Sequence, residues 1–171
     1  PAESETKVND LVAKLIRFEQ LIDQDAPMSE VLPSIYNAYE DKYRGYTIRR
    51  LCQEMHDFYK DRKVSTLQKE LFLKDYFPEY VMNPQEAQYE FMRAHGELVD
   101  LADAEGRTAL EGALPYPPGV LCVHPGEKWS KTAVTYFLDL VEGINQLPGF
   151  APEIQGVYVQ PGADGKKHAY G

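Results

Sequence analysis

Four histidines, two cysteines and one acidic, proline-rich segment are the parts of this sequence whose residue types could support chemistry. His56, His95, His124 and His168 are scattered: no two stand four residues apart, and no Cys-x-x-Cys occurs to complete a zinc set. The spacing therefore predicts no metal site. His56, at the edge of an apolar stripe, reads as a hydrogen-bonded boundary residue. Cys52 and Cys122 each lie among apolar neighbours and are too few for a disulfide framework, so they are expected to be reduced core thiols of a cytoplasmic protein. No Gly-rich turn is followed by the Lys and Ser/Thr of a phosphate-binding loop, and no Gly-x-Ser-x-Gly places a nucleophile on a sharp turn. On these motifs no catalytic and no cofactor-binding residue is assigned within the chain.

The segment Glu111-Gly112-Ala113-Leu114-Pro115-Tyr116-Pro117-Pro118-Gly119 stands apart. Its three prolines fix φ, remove backbone donors and force a stiff, extended path, which excludes a central strand. A polyproline ligand for a partner's groove is disfavoured because the segment lies between two apolar runs inside the domain. Two readings stay open: a rigid loop that sets Glu111 and Tyr116 in place, or a stiff connector with no role in a site. Glu111 is the best single candidate to meet a cationic substrate, since a carboxylate attracts an ammonium. The alternative is a surface or salt-bridged side chain. Glu111, Tyr116, Pro117, Pro118 and Gly119 together form the candidate border of an active-site entrance.

The elements that must position these residues change character along the chain. Residues 6–23 form an amphipathic pattern, with Val8, Leu11, Leu15, Phe18 and Ile22 on one stripe, and Asp25-Ala26-Pro27 ends it. A short helix carrying Ile35, Tyr36, Tyr39 and Tyr43 follows Pro33 and stops at Gly45. Thr47 caps the next, whose stripe runs Ile48, Leu51, Cys52, Met55, Phe58 and Tyr59. Ser65 with Gln68, and Asn83-Pro84 with Glu86, have capping-box spacing for two further helices, the second reaching about Ala94. After Gly96 the pattern predicts strands at 97–101, 107–110, 120–123 and 155–159, with a turn at 103–106. One helix, marked by Val134, Phe137, Leu138, Val141 and Ile144, lies among them and ends at Pro148-Gly149. Asp164-Gly165 marks a final hairpin turn. Helices first, then a small mixed or antiparallel sheet with one intervening helix, is an α+β arrangement.

Length and charge bound the rest. The 171 residues suit one domain with a leading helix, and a net charge of −9 argues against non-specific binding to nucleic acid or to a membrane surface. No apolar run approaches the length of a bilayer span. The expected division is residues 1–26, a leading helix from the end of a preceding small domain, and residues 27–171, a C-terminal domain cut short at its end.

Gly106-Arg107, the run Glu111 to Val120 and then Pro125-Gly126-Glu127, separated from Gly119 by five residues, resemble the signature of the C-terminal domain of bacterial ornithine/lysine/arginine decarboxylases. Gly45-Tyr46-Thr47-Ile48-Arg49, Leu51-Cys52-Gln53-Glu54-Met55-His56, and Leu147 to Glu153 through Gly156-Val157-Tyr158 are most similar to the ornithine branch. The resemblance covers nearly the whole chain. It implies a parent enzyme that removes the α-carboxylate of ornithine to give putrescine and CO2, with pyridoxal 5'-phosphate as electron sink. In that family the cofactor is held by a lysine directly after a histidine and by an aspartate at the pyridine nitrogen, and this chain has no His-Lys pair. The resemblance further implies a cytoplasmic protein whose partners are the rest of its own polypeptide and symmetry-related subunits, as dimers built into larger rings. The C-terminal domain of a lysine or arginine decarboxylase, or a non-catalytic protein-interaction module, are the alternatives.

Overall fold

The computed structural model describes residues 5–116 and 119–171. The chain divides into two compact units, residues 1–58 and 59–171, and the division falls within one helix.

The first unit is helical. α1 (Glu5–Asp23) buries one residue along its length, Leu21, and leaves Val8, Leu11, Val12, Leu15, Ile16 and Phe18 exposed. Asp25 takes a left-handed φ of 49° just beyond it, and Arg49 caps the open end by donating to the carbonyls of Ile22 and Asp23, both at 3.0 Å. The predicted helix after Pro33 is two pieces, α3 (Pro33–Ala38) and α4 (Glu40–Tyr43), preceded by the single turn α2 (Met28–Val31). Tyr39, at φ −134°, breaks the run. α5 (Ile48–Asp61) starts where Thr47 Oγ1 accepts from the Arg50 amide at 3.3 Å, as a capping residue does. Met28, Tyr43, Ile48 and Leu51 form the buried centre of this unit, and Tyr43 stacks edge-on to Tyr46 at 5.4 Å. Burial of Tyr43 pushes its phenol up to about 12. Cys52 corrects the expectation of two core thiols: it is exposed, on the outer side of α5. Cys122 is the partly buried one, and burial lifts its thiol to about 11, which makes it a poor nucleophile.

The second unit is built around α8 (Lys131–Gln146), capped by Ser130, whose Oγ accepts from the Ala133 amide at 3.1 Å. Nine of its residues are buried, and it packs against α6 (Val64–Glu70), the 3₁₀ turn Leu101–Asp103 and β4 (Lys167–Tyr170). Phe137 lies in the core with Trp129 edge-on at 6.0 Å and Tyr136 at 5.4 Å. Asp139, the buried carboxylate of α8, is met by Arg62 at 2.5 Å, since an unpaired charge there would be costly. α7 (Pro84–Met92) begins in the capping box read from the sequence: Asn83 Oδ1 accepts from the Glu86 amide at 2.9 Å, and Glu86 accepts from the Asn83 amide at 3.1 Å. The capping box expected at Ser65 and Gln68 does not form. Lys63, at φ 53°, precedes α6 instead, and Gln68 donates to the Tyr136 hydroxyl.

The α+β class holds, but the strands are fewer and shorter than the alternation predicts. β1 (Leu114–Tyr116) pairs antiparallel with β2 (Glu153–Gln155), and β3 (Tyr158–Pro161) with β4. Residues 97–101 are an irregular stretch that makes one isolated bridge, Asp100 to Tyr170, and then enters the 3₁₀ turn, where Asp100 turns its carboxylate onto the Ala102 amide. Residues 107–110 and 120–123 each contribute one isolated bridge, Thr108 to Lys128 and Val123 to Ala113. The strand expected at 155–159 is two strands, split by Gly156 at φ 73°. A Cβ at Gly156 would lie 2.1 Å from the carbonyl oxygen of Gly112, so this position requires glycine twice over. The β3–β4 hairpin turns at Asp164-Gly165 as read.

Candidate functional site

A cleft of about 880 Å³ opens within the second unit. α7 supplies Glu90 and Phe91, the irregular stretch supplies His95, Glu97 and Leu98, and the segment after Gly106 supplies Arg107, Leu110 and Glu111. Trp129, Gly156 and Tyr158 close the far side. The irregular backbone of 94–111 follows from its composition. Ala94 turns at φ 57°, ending α7, and a Cβ at Gly96 would lie 2.8 Å from the tip of the Leu110 side chain, which would have to shift.

The polar groups of the cleft are arranged in pairs. His95 Nδ1 lies 2.6 Å from Glu90 Oε2, and Arg93 lies 3.2 Å from the other oxygen; the His95 contact, first among its causes, holds the Glu90 carboxyl below its ordinary range. Arg107 meets Glu97 at 2.6 Å. Tyr158 donates its hydroxyl to Glu111 Oε2 at 2.5 Å, and this hydrogen bond to a carboxylate is the main reason the phenol is held above its ordinary range. The close approach of Gly156 to Gly112 brings the start of β3 onto the Glu111 segment and so makes that bond possible.

Of the five residues expected to border an entrance, Glu111 alone lines this cleft among the described residues. Tyr116 is exposed at the end of β1, where Gly119, at φ 79°, turns back with its amide donating to the Pro115 carbonyl at 3.1 Å. Tyr116 and Gly119 touch, since a Cβ on Gly119 would sit 2.9 Å from the Tyr116 ring. Pro117 and Pro118 lie outside the described residues. Pro115 sits on a two-stranded sheet, where every strand is an edge, which reconciles a proline with a strand. The sequence marks Gly156 and Tyr158 as part of a strand and of the ornithine-branch resemblance but not as cleft residues: Tyr158 alternates like any strand residue, and only a glycine interrupting an apolar run set the segment apart.

The cleft does not suit a phosphate-bearing aldehyde cofactor. No lysine among the described residues lines it, and its one guanidinium, Arg107, is already taken by Glu97. No group of three metal-ligating side chains occurs among the described residues.

Comparison with known proteins places the domain. The family model described as Orn/Lys/Arg decarboxylase, C-terminal domain, matches residues 65–171. The chain is 60% identical over all 171 residues to the inducible ornithine decarboxylase of Lactobacillus sp. (strain 30a), covering 23% of that protein. It is 61% identical to the ornithine decarboxylase of Haemophilus influenzae, again over its full length and 24% of the relative. The solved structure of lysine decarboxylase A from Pseudomonas aeruginosa superposes with a TM-score of 0.88 at 30% identity, over 98% of this chain and 23% of that one. The chain thus spans about a quarter of the length of the relatives it matches. With the family model covering well over half of it and these identities extending from end to end, the chain belongs to the Orn/Lys/Arg decarboxylase family, of which it is the C-terminal domain.

Proposed function

We propose that the parent protein of this domain is a pyridoxal-phosphate-dependent ornithine decarboxylase, converting L-ornithine to putrescine and CO2. The observation that carries the reading is the gap in similarity: about 60% identity to ornithine decarboxylases across the whole chain, against 30% to the lysine decarboxylase structure. The cofactor supplies the electron sink from its own ring, on residues outside this chain. This is supported by the sequence, which has no histidine directly followed by lysine, and by the cleft, which no lysine lines among the described residues.

The chain itself serves assembly and covering. Residues 1–26 belong to the end of a preceding small domain, and 27–171 form the C-terminal domain, which works against the rest of its own polypeptide and against symmetry-related subunits in the cytoplasm. The exposed apolar stripe of α1 supports this, because a helix that buries only Leu21 in its own chain has a face to cover. No helix among the described residues is long and apolar enough to cross a membrane. Glu111, with Tyr116, Pro117, Pro118 and Gly119, borders the approach to the active site.

The decisive measurement is kcat/KM of the intact enzyme for ornithine, lysine and arginine. Ornithine should be preferred by at least about tenfold, the worth of one well-placed contact. Equal or better turnover of lysine would overturn the assignment. Replacing Pro117 and Pro118 by alanine tests the entrance. A connector would lose roughly 1 kcal/mol of stability and keep its kinetics, whereas an entrance border would lose kcat/KM well beyond the loss of folded protein.

A further inference from the structure

Three carboxylates line the cleft, and two of them are matched by cationic side chains: Glu90 by Arg93 and the His95 ring, Glu97 by Arg107. Glu111 differs. Among the described residues it makes no ion pair, and its polar side-chain partner is the Tyr158 hydroxyl. That donor is neutral. It fixes the carboxylate without cancelling its charge, and it takes one acceptor position on Oε2. The acceptor positions that remain can receive an ammonium. The same cleft is lined in part by the apolar side chains of Phe91, Leu98 and Leu110, which can take a methylene stem.

We propose that the Glu111–Tyr158 pair is a subsite for the terminal primary ammonium of a linear diamine or diamino acid, with Tyr158 as its positioning residue. The choice of a primary ammonium, and of ornithine and putrescine as ligands, rests on the function proposed above; the unmatched charge at Glu111 rests on the geometry. In the intact enzyme, Glu111→Gln keeps the shape and removes the charge. It should raise KM for ornithine and the inhibition constant of putrescine together by about tenfold, the usual worth of a charge-assisted hydrogen bond, with the loss carried by KM rather than kcat. Tyr158→Phe keeps the charge and removes its anchor, and should raise both constants by about threefold. Glu111→Asp should recover part of the loss. Both constants staying within about twofold of the parent in Glu111→Gln and Tyr158→Phe would overturn the subsite even in an active ornithine decarboxylase. Should the intact enzyme fail to decarboxylate ornithine, calorimetric titration with putrescine separates the two ideas. Binding that is weakened by Glu111→Gln upholds the subsite without the activity, and no binding to the parent protein overturns it.

Discussion

α1 and α8 are the two longest helices of the chain, and they meet opposite fates. Both carry apolar residues at helical spacing, yet α8 buries nine residues and α1 buries one. α8 has α6, β4 and the 3₁₀ turn at Leu101–Asp103 packed around it, so its stripe is a core. α1 keeps Leu11 at 57% and Leu15 at 58% exposure, so an almost equally regular stripe is surface. Amphipathic periodicity states that a face seeks a partner; it does not state whether that partner is encoded in the same stretch of chain.

The comparison can be broken most sharply by truncation. Phe137→Ala, emptying a fully buried site, should destabilise this domain by about 3–5 kcal/mol in chemical denaturation, whereas Leu15→Ala should change it by no more than about 0.5 kcal/mol. Comparable losses would mean that α1 is packed after all. A second test reads the exposed face directly. The chain expressed alone should self-associate or bind an apolar dye, and replacing Leu11, Leu15 and Phe18 by serine should abolish this while leaving the melting transition in place. Dye binding that survives the triple change would assign the apolar surface elsewhere, to Phe72, Phe77 or Met92.

Local signals should matter less than core packing. Asn83→Ala removes the acceptor of a complete capping box and should cost about 1 kcal/mol, measured as a shift in the denaturation midpoint at unchanged slope. The smallest effect is electrostatic and belongs to the first unit. Burial raises the Glu54 carboxyl and lowers the Lys42 amine, but their mutual hydrogen bond at 2.7 Å, with Tyr46 beside them, overrides it: Glu54 is held below and Lys42 above their ordinary values. A depressed carboxylate contributes stability that is present above its unfolded value and lost as pH falls through the folded one, below about pH 4. The raised amine contributes stability that is lost only as pH climbs above about 10. Glu54→Gln should flatten the acid limb of the stability curve, and an unchanged limb would show that the pair contributes nothing.

Much of the fold was legible because its signals are local. The capping box at Asn83, the cap at Thr47, the break after α1 and the hairpin turn at Asp164-Gly165 each involve residues a few positions apart, and each forms as read. The family, too, was legible, since the Tyr-Pro-Pro-Gly and Pro-Gly-Glu spacing is a contiguous pattern. The misreadings share a physical cause. Alternation at 97–101 and 107–110 resembles strands, but a strand needs a run of neighbours in register, and here Asp100 and Thr108 each find one bridging partner, Tyr170 and Lys128. Gln68, spaced for a cap, is drawn instead to Tyr136, 68 residues away. Cys52, spaced for a core, lies on the outer face of α5.

What the sequence determined by itself was the family, through a contiguous motif, and most of the helical segments with the caps at Thr47 and Asn83, because short-range sterics and hydrogen bonding decide those matters within a few residues. What the tertiary structure decided was pairing across the chain. It set Tyr158 on Glu111 across 47 positions, Arg62 on Asp139 across 77, and the carbonyl of Gly112 where only Gly156 leaves room. No local preference encodes such contacts. They exist because burying the α8 stripe folds distant segments onto one another, and only then do a lone carboxylate and a tyrosine hydroxyl come within bonding distance.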